Sequence, residues 1–281
     1  MITAFDQGQM VAEAVASVLA QTRPVDQIVV VDDGSTDPAS LVALSLLDAV
    51  VHLHRQPNAG VSAARNTGIS LLTSDYVAVL DGDDAWAPRF VEGTTALLDE
   101  SPPTVAASSW LEMFGVANGV VQPTGGTLAS FLPRNACPAS AVFRRADWSR
   151  VGGYDETMTM GFEDWDFFLR LLRHAGSPDG TLEAQVGIVP EPLLRYRTHP
   201  SSLNIRSMED RLARYRQIID NHHEAFAAHL TEAVLGLEAT SMARLAAWEE
   251  LLLEDPTLPV GTATFGDGGM AAAVRIATHR A

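Results

Sequence analysis

The sequence predicts an α/β fold in which helices flank a mostly parallel β-sheet and a helical region is appended at the C-terminus. Two apolar runs, at residues 28–31 and 76–80, each stop abruptly at a cluster of aspartates, as strands buried on both faces of a sheet do. Apolar residues at helical spacing separate the two runs. Strands that alternate with helices are joined by crossover connections, so this pattern favours parallel strands.

The first hundred residues contain a regular succession of predicted elements. Helical periodicity within residues 10–19 is followed by the strand at residues 28–31. A weaker strand is predicted at residues 50–54, and a second helix at residues 61–72 leads into the strand at residues 76–80. In such open sheets, ligands bind beyond the carboxyl ends of the strands, where both aspartate clusters lie.

The second half of the chain is less regular in sequence. Residues 101–151 are rich in Pro, Gly and Thr and predict an irregular region with one strand at residues 139–144. A helix is predicted at residues 163–174, a strand at residues 186–196, and mostly amphipathic helix at residues 207–255 before an irregular tail. The apolar side of that last region would carry Leu212, Tyr215, Ile218, Ile219 and Phe226.

Composition excludes several classes of function. The 281-residue chain has a formal charge of −16, which disfavours nucleic acid as a partner because that affinity depends on neutralising phosphates. All 19 of its cationic residues are arginine, so lysine cannot form a Schiff base or bind phosphate in a P-loop. The single cysteine, Cys137, excludes an internal disulfide or a cysteine-built metal site and is predicted to be buried.

The sequence also carries signals about location. No uninterrupted apolar stretch approaches the ~18–20 residues of a membrane span, and the first residues lack the basic start and apolar run of a signal peptide. We therefore expect a cytoplasmic protein. Arg211, Arg214 and Arg216 offer peripheral contact with an anionic membrane surface, although a solvated helix face is the ordinary role of such residues.

The second aspartate cluster is the stronger candidate for a metal site. Asp81, Asp83 and Asp84 crowd three carboxylates into four residues, which is costly unless a cation or hydrogen-bond donors compensate. Oxygen ligands suit Mg²⁺ or Mn²⁺, which commonly link one or two carboxylates to substrate phosphates. The alternative is a turn whose aspartates cap the helix near Pro88.

The first cluster, at residues 32–37, is compatible with two roles. It has the composition of an Asx turn that leads into a helix capped by Asp37. Its position at the end of a central strand also suits a carboxylate that binds a ribose or a base edge, as acidic residues do in dinucleotide-binding folds.

Beyond these clusters, the sequence resembles the family 2 glycosyltransferases, which have the GT-A fold. The matching segments, in the order of the family, are residues 4–6 (Ala-Phe-Asp), 17–22 (Ser-Val-Leu-Ala-Gln-Thr), 30–37 (Val-Val-Asp-Asp-Gly-Ser-Thr-Asp), 58–68 (Asn-Ala-Gly-Val-Ser-Ala-Ala-Arg-Asn-Thr-Gly), 80–86 (Leu-Asp-Gly-Asp-Asp-Ala-Trp), 152–156 (Gly-Gly-Tyr-Asp-Glu), 161–166 (Gly-Phe-Glu-Asp-Trp-Asp) and 195–199 (Arg-Tyr-Arg-Thr-His). Each segment is weakly specific alone, but their shared order and spacing make a strong signal. The resemblance implies a GT-A-like, Rossmann-like sheet.

The resemblance also implies roles for individual residues. The positions that would bind the nucleotide sugar are Thr3, Ala4, Phe5, Asp33, Arg65, Asp81 and Gly82, with Asp81 and Asp83 forming the DxD element. The metal would be held by Asp83, Asp84 and His199. Asp164, with Glu163 beside it, resembles the general base that takes the proton of the acceptor hydroxyl.

Each of these positions has a structural alternative. Acidic residues at a helix start, such as Glu163 and Asp164, are favoured by the helix dipole alone. Arg65 would otherwise pair with a nearby carboxylate, and His199 would make an ordinary loop contact.

The function implied by the resemblance is inverting transfer of a sugar from a nucleoside diphosphate donor (UDP-, GDP- or dTDP-sugar) to a hydroxyl of a saccharide, lipid-linked or small-molecule acceptor, with Mn²⁺ or Mg²⁺. Residues 1–100 would bind the donor, residues 101–204 the acceptor, and residues 205–281 would form the helical C-terminal region. One alternative is a nucleotide-sugar-binding protein without turnover. Another is a sugar nucleotidyltransferase, which would normally carry a basic loop that is absent near residue 1.

Overall fold

The computed structural model describes residues 1–47, 49–159, 161–174, 183–199 and 210–253, together with Val274 and Thr278. Its first half alternates strands and helices as predicted. The elements are β1 (Ile2–Ala4), α1 (Met10–Leu19), β2 (Val29–Asp32), α2 (Pro38–Leu47), β3 (His52–Arg55), α3 (Val61–Ser70), β4 (Tyr76–Ala78), β5 (Leu80–Asp81), β6 (Ala85–Trp86) and α4 (Phe90–Glu100).

The first sheet is parallel throughout, with strand order β3-β2-β1-β5. This confirms the predicted parallel arrangement and puts the short strand β1 at the centre, where Thr3 lies between Val31 and Asp81. The predicted strand at residues 76–80 is divided in two at Val79. The backbone N–H of Val79 donates to the carbonyl of Ala141, whereas the backbone N–H of Leu80 donates to the carbonyl of Met1. The chain thus passes from one sheet to the next at this point.

The second sheet is mixed and has the order β4-β10-β7-β11-β6, and two short strands pair with its interior strands, β8 with β7 and β9 with β11. Its remaining elements are β7 (Thr104–Gly115), β8 (Gly119–Val121), β9 (Gly126–Thr127), α5 (Leu128–Phe131), β10 (Val142–Arg144), α6 (Arg145–Arg150), α7 (Glu163–His174) and β11 (Gln185–Thr198). Strands β7 and β11 run parallel along most of their length.

Strand β7 corrects the prediction that residues 101–151 are largely irregular. The strand contains few β-branched residues, and its buried centre is the small-residue run at positions 106–109, two alanines and two serines. The hydroxyl of Ser108 donates to the carbonyl of Ser140 at 2.6 Å. Long pairing with β11 and burial on both faces stabilise this strand, and neither feature leaves a local sequence signal.

The C-terminal region is helical, as predicted, but is broken into α8 (Arg211–Asn221), α9 (His223–Ala228) and α10 (Leu230–Leu253). Of the predicted apolar side, Ile218 and Phe226 are buried, whereas Leu212 is 86% exposed and Ile219 39% exposed, so that side is only partly covered. A regular apolar spacing cannot show which turns of a helix meet the rest of the protein. Residues 201–209 and the predicted irregular tail beyond residue 255, apart from Val274 and Thr278, lie outside the described residues.

Two apolar cores flank the sheets. One contains the aromatic side chains of α7, including Trp165, Phe167 and Phe168, and the buried thiol of Cys137. The other contains β1, α1, α2 and α4. Among the described helices, none is both long enough and apolar enough to cross a membrane.

Candidate active site

The site lies where the parallel strands end. Ala4, Asp32 and Asp81 are the last residues of β1, β2 and β5, and the register of these strands aligns their carboxyl ends at one edge of the sheet. The loops that follow carry Asp33 and the acidic segment 81–84. The topology therefore brings the two predicted aspartate clusters to the same edge.

Arg65, from the parallel-sheet side, connects this edge with helix α7. One terminal nitrogen donates to Asp81 Oδ1 at 2.9 Å and the other to Glu163 Oε1 at 2.8 Å, while the guanidinium lies over the Tyr154 ring, 5.3 Å from its centroid. The side chain is only 1% exposed. Burial disfavours its charge, but the two carboxylates outweigh burial and raise the pKa of Arg65 above its usual value.

The acidic loop is held tightly against β1. Thr3 Oγ1 donates to Asp81 Oδ1 at 3.1 Å, and Gln7 Nε2 donates to Asp83 Oδ1 at 3.1 Å. Between them, a Cβ atom at Gly82 would lie 2.6 Å from the backbone carbonyl oxygen of Thr3. The loop can therefore approach β1 this closely only because position 82 is glycine.

Strand β11 supports the same loop from the other side. The backbone N–H of Arg197 donates to Asp84 Oδ1 at 2.8 Å, and its Nε donates to the carbonyl of Asp83 at 2.8 Å, while its guanidinium pairs with Glu13. Burial, followed by the charge of Asp81, raises the pKa of Asp83 to about 6. Burial, followed by the charges of Asp83 and Asp81, raises the pKa of Asp84 well above its usual range.

These carboxylates suit a divalent cation that the substrate helps to bind. Among the described residues, no group of three or more histidine, cysteine or acidic side chains is placed to hold a metal ion. Burial, followed by repulsion from neighbouring aspartates, raises the pKa values of Asp83 and Asp84, and a bound cation would favour their ionised forms. One or two carboxylates completed by phosphate oxygens is the usual arrangement for Mg²⁺. His199 is exposed directly after β11, two residues beyond Arg197.

Asp164 lies in the first turn of α7, next to the Glu163 that pairs with Arg65. Its carboxylate is half-buried, with Oδ2 accepting from Asn135 Nδ2 at 2.8 Å and Oδ1 accepting from the N–H of Trp165 at 2.8 Å. Burial, followed by the charge of Glu163, raises the pKa of Asp164 to about 7. A carboxylate with such a pKa can accept a proton near neutral pH.

Three of the predicted donor-binding residues, Asp33, Ala4 and Phe5, lie outside the hydrogen-bond network of the acidic loop. Asp33 is buried, and its carboxylate accepts hydrogen bonds from Gln56 Nε2 at 2.8 Å and from the backbone N–H groups of residues 59 and 60 at 2.9 Å. It therefore shapes the loop before α3. Ala4 is buried at the end of β1, whereas Phe5 is 48% exposed beyond it. Nucleoside contacts for these residues stay predictions.

Four residues of the site were not predicted from sequence: Gln7, Asn135, Tyr154 and Arg197. Arg197 and Tyr154 lie within the matching segments 195–199 and 152–156, so the resemblance marked their positions without giving them roles. Gln7 and Asn135 carry no local signal, because their contacts come from distant elements.

Comparison with known proteins identifies the family of this chain. The model of glycosyl transferase family 2 matches residues 1–146, just over half of the 281-residue chain. The chain belongs to glycosyl transferase family 2. The matched part contains the acidic loop, Arg65 and Asn135, whereas Glu163, Asp164 and Arg197 follow it.

Two curated relatives illustrate the range of this family. The uncharacterized glycosyltransferase YibD of Escherichia coli strain K12 is 30% identical over 156 residues, which cover 54% of this chain and 42% of YibD. The succinoglycan biosynthesis protein ExoU of Rhizobium meliloti strain 1021 is 28% identical over 200 residues, which cover 61% of this chain and 56% of ExoU. The chain thus spans about half the length of these relatives.

Solved structures of glycosyltransferases share the fold. The mannosyltransferase PcManGT from Pyrobaculum calidifontis, in complex with GDP-Man and Mn²⁺, aligns with a TM-score of 0.60 at 18% identity over 99% of this chain and 85% of that one. S. aureus TarS 1–349 in complex with UDP aligns with a TM-score of 0.55 at 16% identity over 81% of this chain and 71% of that one. These similarities confirm the predicted GT-A-like α/β fold with a helical C-terminal part.

Proposed function

We propose that this family 2 protein is an inverting glycosyltransferase, which moves a sugar from a nucleoside diphosphate sugar to an acceptor hydroxyl with the aid of a divalent cation. In this proposal residues 1–100 bind the donor and residues 101–204 contribute the acceptor side, with residues 205–281 as an attached helical region. Asp164 is the general base, and the loop that carries Asp81, Asp83 and Asp84 receives the donor diphosphate and the cation.

The observation that carries the proposal is the double ion pair of Arg65. Because Arg65 binds both Asp81 and Glu163, it links the acidic loop to the residue next to Asp164. A donor and an acceptor bound at these two places would meet at one point, which is the geometric requirement of direct transfer.

The chemistry follows from the groups at each end. Asp164 accepts the acceptor hydroxyl proton as the new glycosidic bond forms, and the bond from the anomeric carbon to the diphosphate breaks on the opposite side. A divalent cation, when bound by Asp83, Asp84 or His199, supplies charge stabilisation for the leaving diphosphate. Single displacement of this kind needs no covalent intermediate and inverts the anomeric configuration. The GDP-Man and Mn²⁺ in the PcManGT complex support a nucleoside diphosphate sugar as the donor and a divalent cation as its partner.

Ligand-induced stabilisation tests donor and metal binding. We expect one of the UDP-, GDP- or dTDP-sugars to raise the Tm of the protein in the presence of Mn²⁺ or Mg²⁺, because a ligand that binds only the folded state stabilises it. The increase should largely disappear with chelator and in Asp83→Asn. Retention of the full increase in Tm under chelator would contradict the metal assignment. Inversion is tested separately by NMR of the product, where a retained anomeric configuration would contradict it.

The pH dependence of transfer tests the base. Because the pKa of Asp164 is raised to about 7, its carboxylate is ionised above that pH and protonated below it. With the identified donor, kcat should therefore fall about tenfold per pH unit below an acid limb near pH 7 and level off above it. A flat profile between pH 5 and pH 8 would contradict a base with this pKa.

A further inference from the structure

Among the residues that the structure describes, one side chain from outside helix α7 bonds to the carboxylate of Asp164. Its Oδ1 is occupied by the N–H of Trp165, the next residue along α7, so this bond does not depend on the rest of the protein. Its Oδ2 accepts from Asn135 Nδ2 at 2.8 Å, from the loop that follows α5. The direction in which the second oxygen points therefore depends on Asn135.

The amide of Asn135 is itself fixed in orientation. Its Oδ1 accepts the backbone N–H of Cys137 at 3.2 Å. Rotating the amide by half a turn would turn an oxygen towards the Asp164 carboxylate and an NH₂ group towards the Cys137 N–H, and both pairings are repulsive. The side-chain NH₂ group of Asn135 must accordingly face Asp164.

The loop that carries Asn135 is attached to the helix of the base and to the C-terminal region. Trp165 Nε1 donates to the carbonyl of Phe131 at 2.7 Å, and the hydroxyl of Tyr215, from α8, donates to the carbonyl of Pro133. The rings of Trp165 and Tyr215 meet edge to face with centroids 5.0 Å apart. Base, loop and C-terminal helix thus form one packed unit.

We propose that Asn135 is a positioning residue that holds Asp164 in its orientation as the general base, and that Tyr215 of the C-terminal helical region fixes Asn135 in place. This inference rests on the proposed function, since it presupposes that Asp164 is the base. It gives the helical region after the family-matched residues 1–146 a part in the active site.

The charges around Asp164 predict the effect of removing Asn135. Burial, followed by the charge of Glu163, raises the pKa of Asp164, whereas the charge of Arg65 and the hydrogen bonds from the Trp165 N–H and from Asn135 lower it. Two neutral groups, the Cys137 thiol and the Tyr154 phenol, also face Asp164, and its charge contributes to their raised pKa values. A hydrogen bond to the ionised form favours that form, so its loss leaves the base protonated to higher pH.

Carboxyl ¹³C NMR titration of the full chain, labelled at aspartate, tests this directly. The Asp164 signal, assigned by its absence in Asp164→Asn, should titrate about one pH unit higher in Asn135→Ala than in the wild type, and in the same direction but less in Tyr215→Phe. With the donor found by thermal shift, the acid limb of kcat should move by the same amount, lowering kcat by about fivefold at pH 7 and about tenfold at pH 6 and below, while the donor KM stays within about twofold.

Asn221→Ala is the matched control. Asn221 donates to Asp166 Oδ1 at 3.1 Å, so this variant also removes an amide hydrogen bond to an aspartate of α7, but it should leave the titration of Asp164 unchanged. If Asn135→Ala does not fold, Asn135→Ser, which is too short to reach Asp164, is titrated in its place.

An Asp164 titration in the Asn135 variant that matches the wild type overturns the positioning role, and an unchanged titration in Tyr215→Phe overturns the role of α8. Neither result touches the assignment of the base. That assignment fails separately, if Asp164→Asn keeps the transfer rate.

Discussion

Asp164→Asn should lower the transfer rate by about 10²–10⁴-fold, the usual contribution of a general base, while the protein stays folded. Asparagine has nearly the same shape but cannot accept the hydroxyl proton. Thermal shift with the donor and Mn²⁺ should remain close to that of the wild type, because the base acts on the acceptor side. Transfer kinetics and donor binding of the two proteins, measured side by side, check this prediction.

The Asp164→Asn substitution should also change how the Tm depends on pH. The pKa of Asp164 is about 7 in the folded protein and ~3.9 in an unfolded chain, so the neutral carboxyl stabilises the fold at low pH and this contribution is lost as pH rises from about 4 to about 7. The Tm of Asp164→Asn relative to the wild type should therefore increase over that range. A transfer rate equal to that of the wild type would show that another group is the base.

Asp166→Asn is the matched control, two residues along the same helix. Burial raises the pKa of Asp166, but the hydrogen bond from His222 and the charge of Arg170 outweigh burial and lower it. Asp166 therefore stabilises the fold above the pKa of an unfolded aspartate, and that contribution is lost as pH falls. The Asp166→Asn substitution should lower the Tm, and it should change kcat per folded molecule less than Asp164→Asn does.

Arg65→Met should destabilise the protein by about 3–5 kcal/mol, the usual cost of removing one partner from a buried ion pair. The substitution leaves the Glu163 carboxylate, only 7% exposed, without its cation and Asp81 without one of its donors. For a chain of this size the loss corresponds to a fall in Tm of roughly 6–20 °C. Denaturant unfolding of the wild type and the variant measures it.

Two variants sharpen this prediction. Arg23→Met removes an arginine whose ion pair with Asp99 is about half exposed on both sides, so its effect should stay within about 1 kcal/mol. The double variant Arg65→Met with Glu163→Gln removes the uncompensated charge and should recover part of the loss, since contacting residues do not contribute additively. Equal stability of Arg65→Met and Arg23→Met would contradict a structural link through Arg65.

Local patterns allowed much of the fold to be predicted. The runs that became β2 and β4–β5 are rich in Val and end in aspartates, and helices α1, α3 and α7 have clear periodicity, so their local preferences agree with their places in the structure. Strand β7 was missed because its small residues have no strong preference of their own. Leu212 is exposed although it belongs to the predicted apolar side, because periodicity does not reveal what a helix packs against.

The fold class, the family resemblance and the strand ends that carry the acidic residues could all be predicted from the amino-acid sequence, because they depend on short segments and their order. Which residues contact one another could not be predicted in this way: Arg65 lies between Asp81 and Glu163, Asn135 bonds to Asp164, and Asp33 bonds to the loop before α3. The partners of Arg65 are 16 and 98 residues away from it in the chain. Contacts at such separations follow from how helices and loops pack onto the sheet, and the pKa values that suit catalysis follow from that packing.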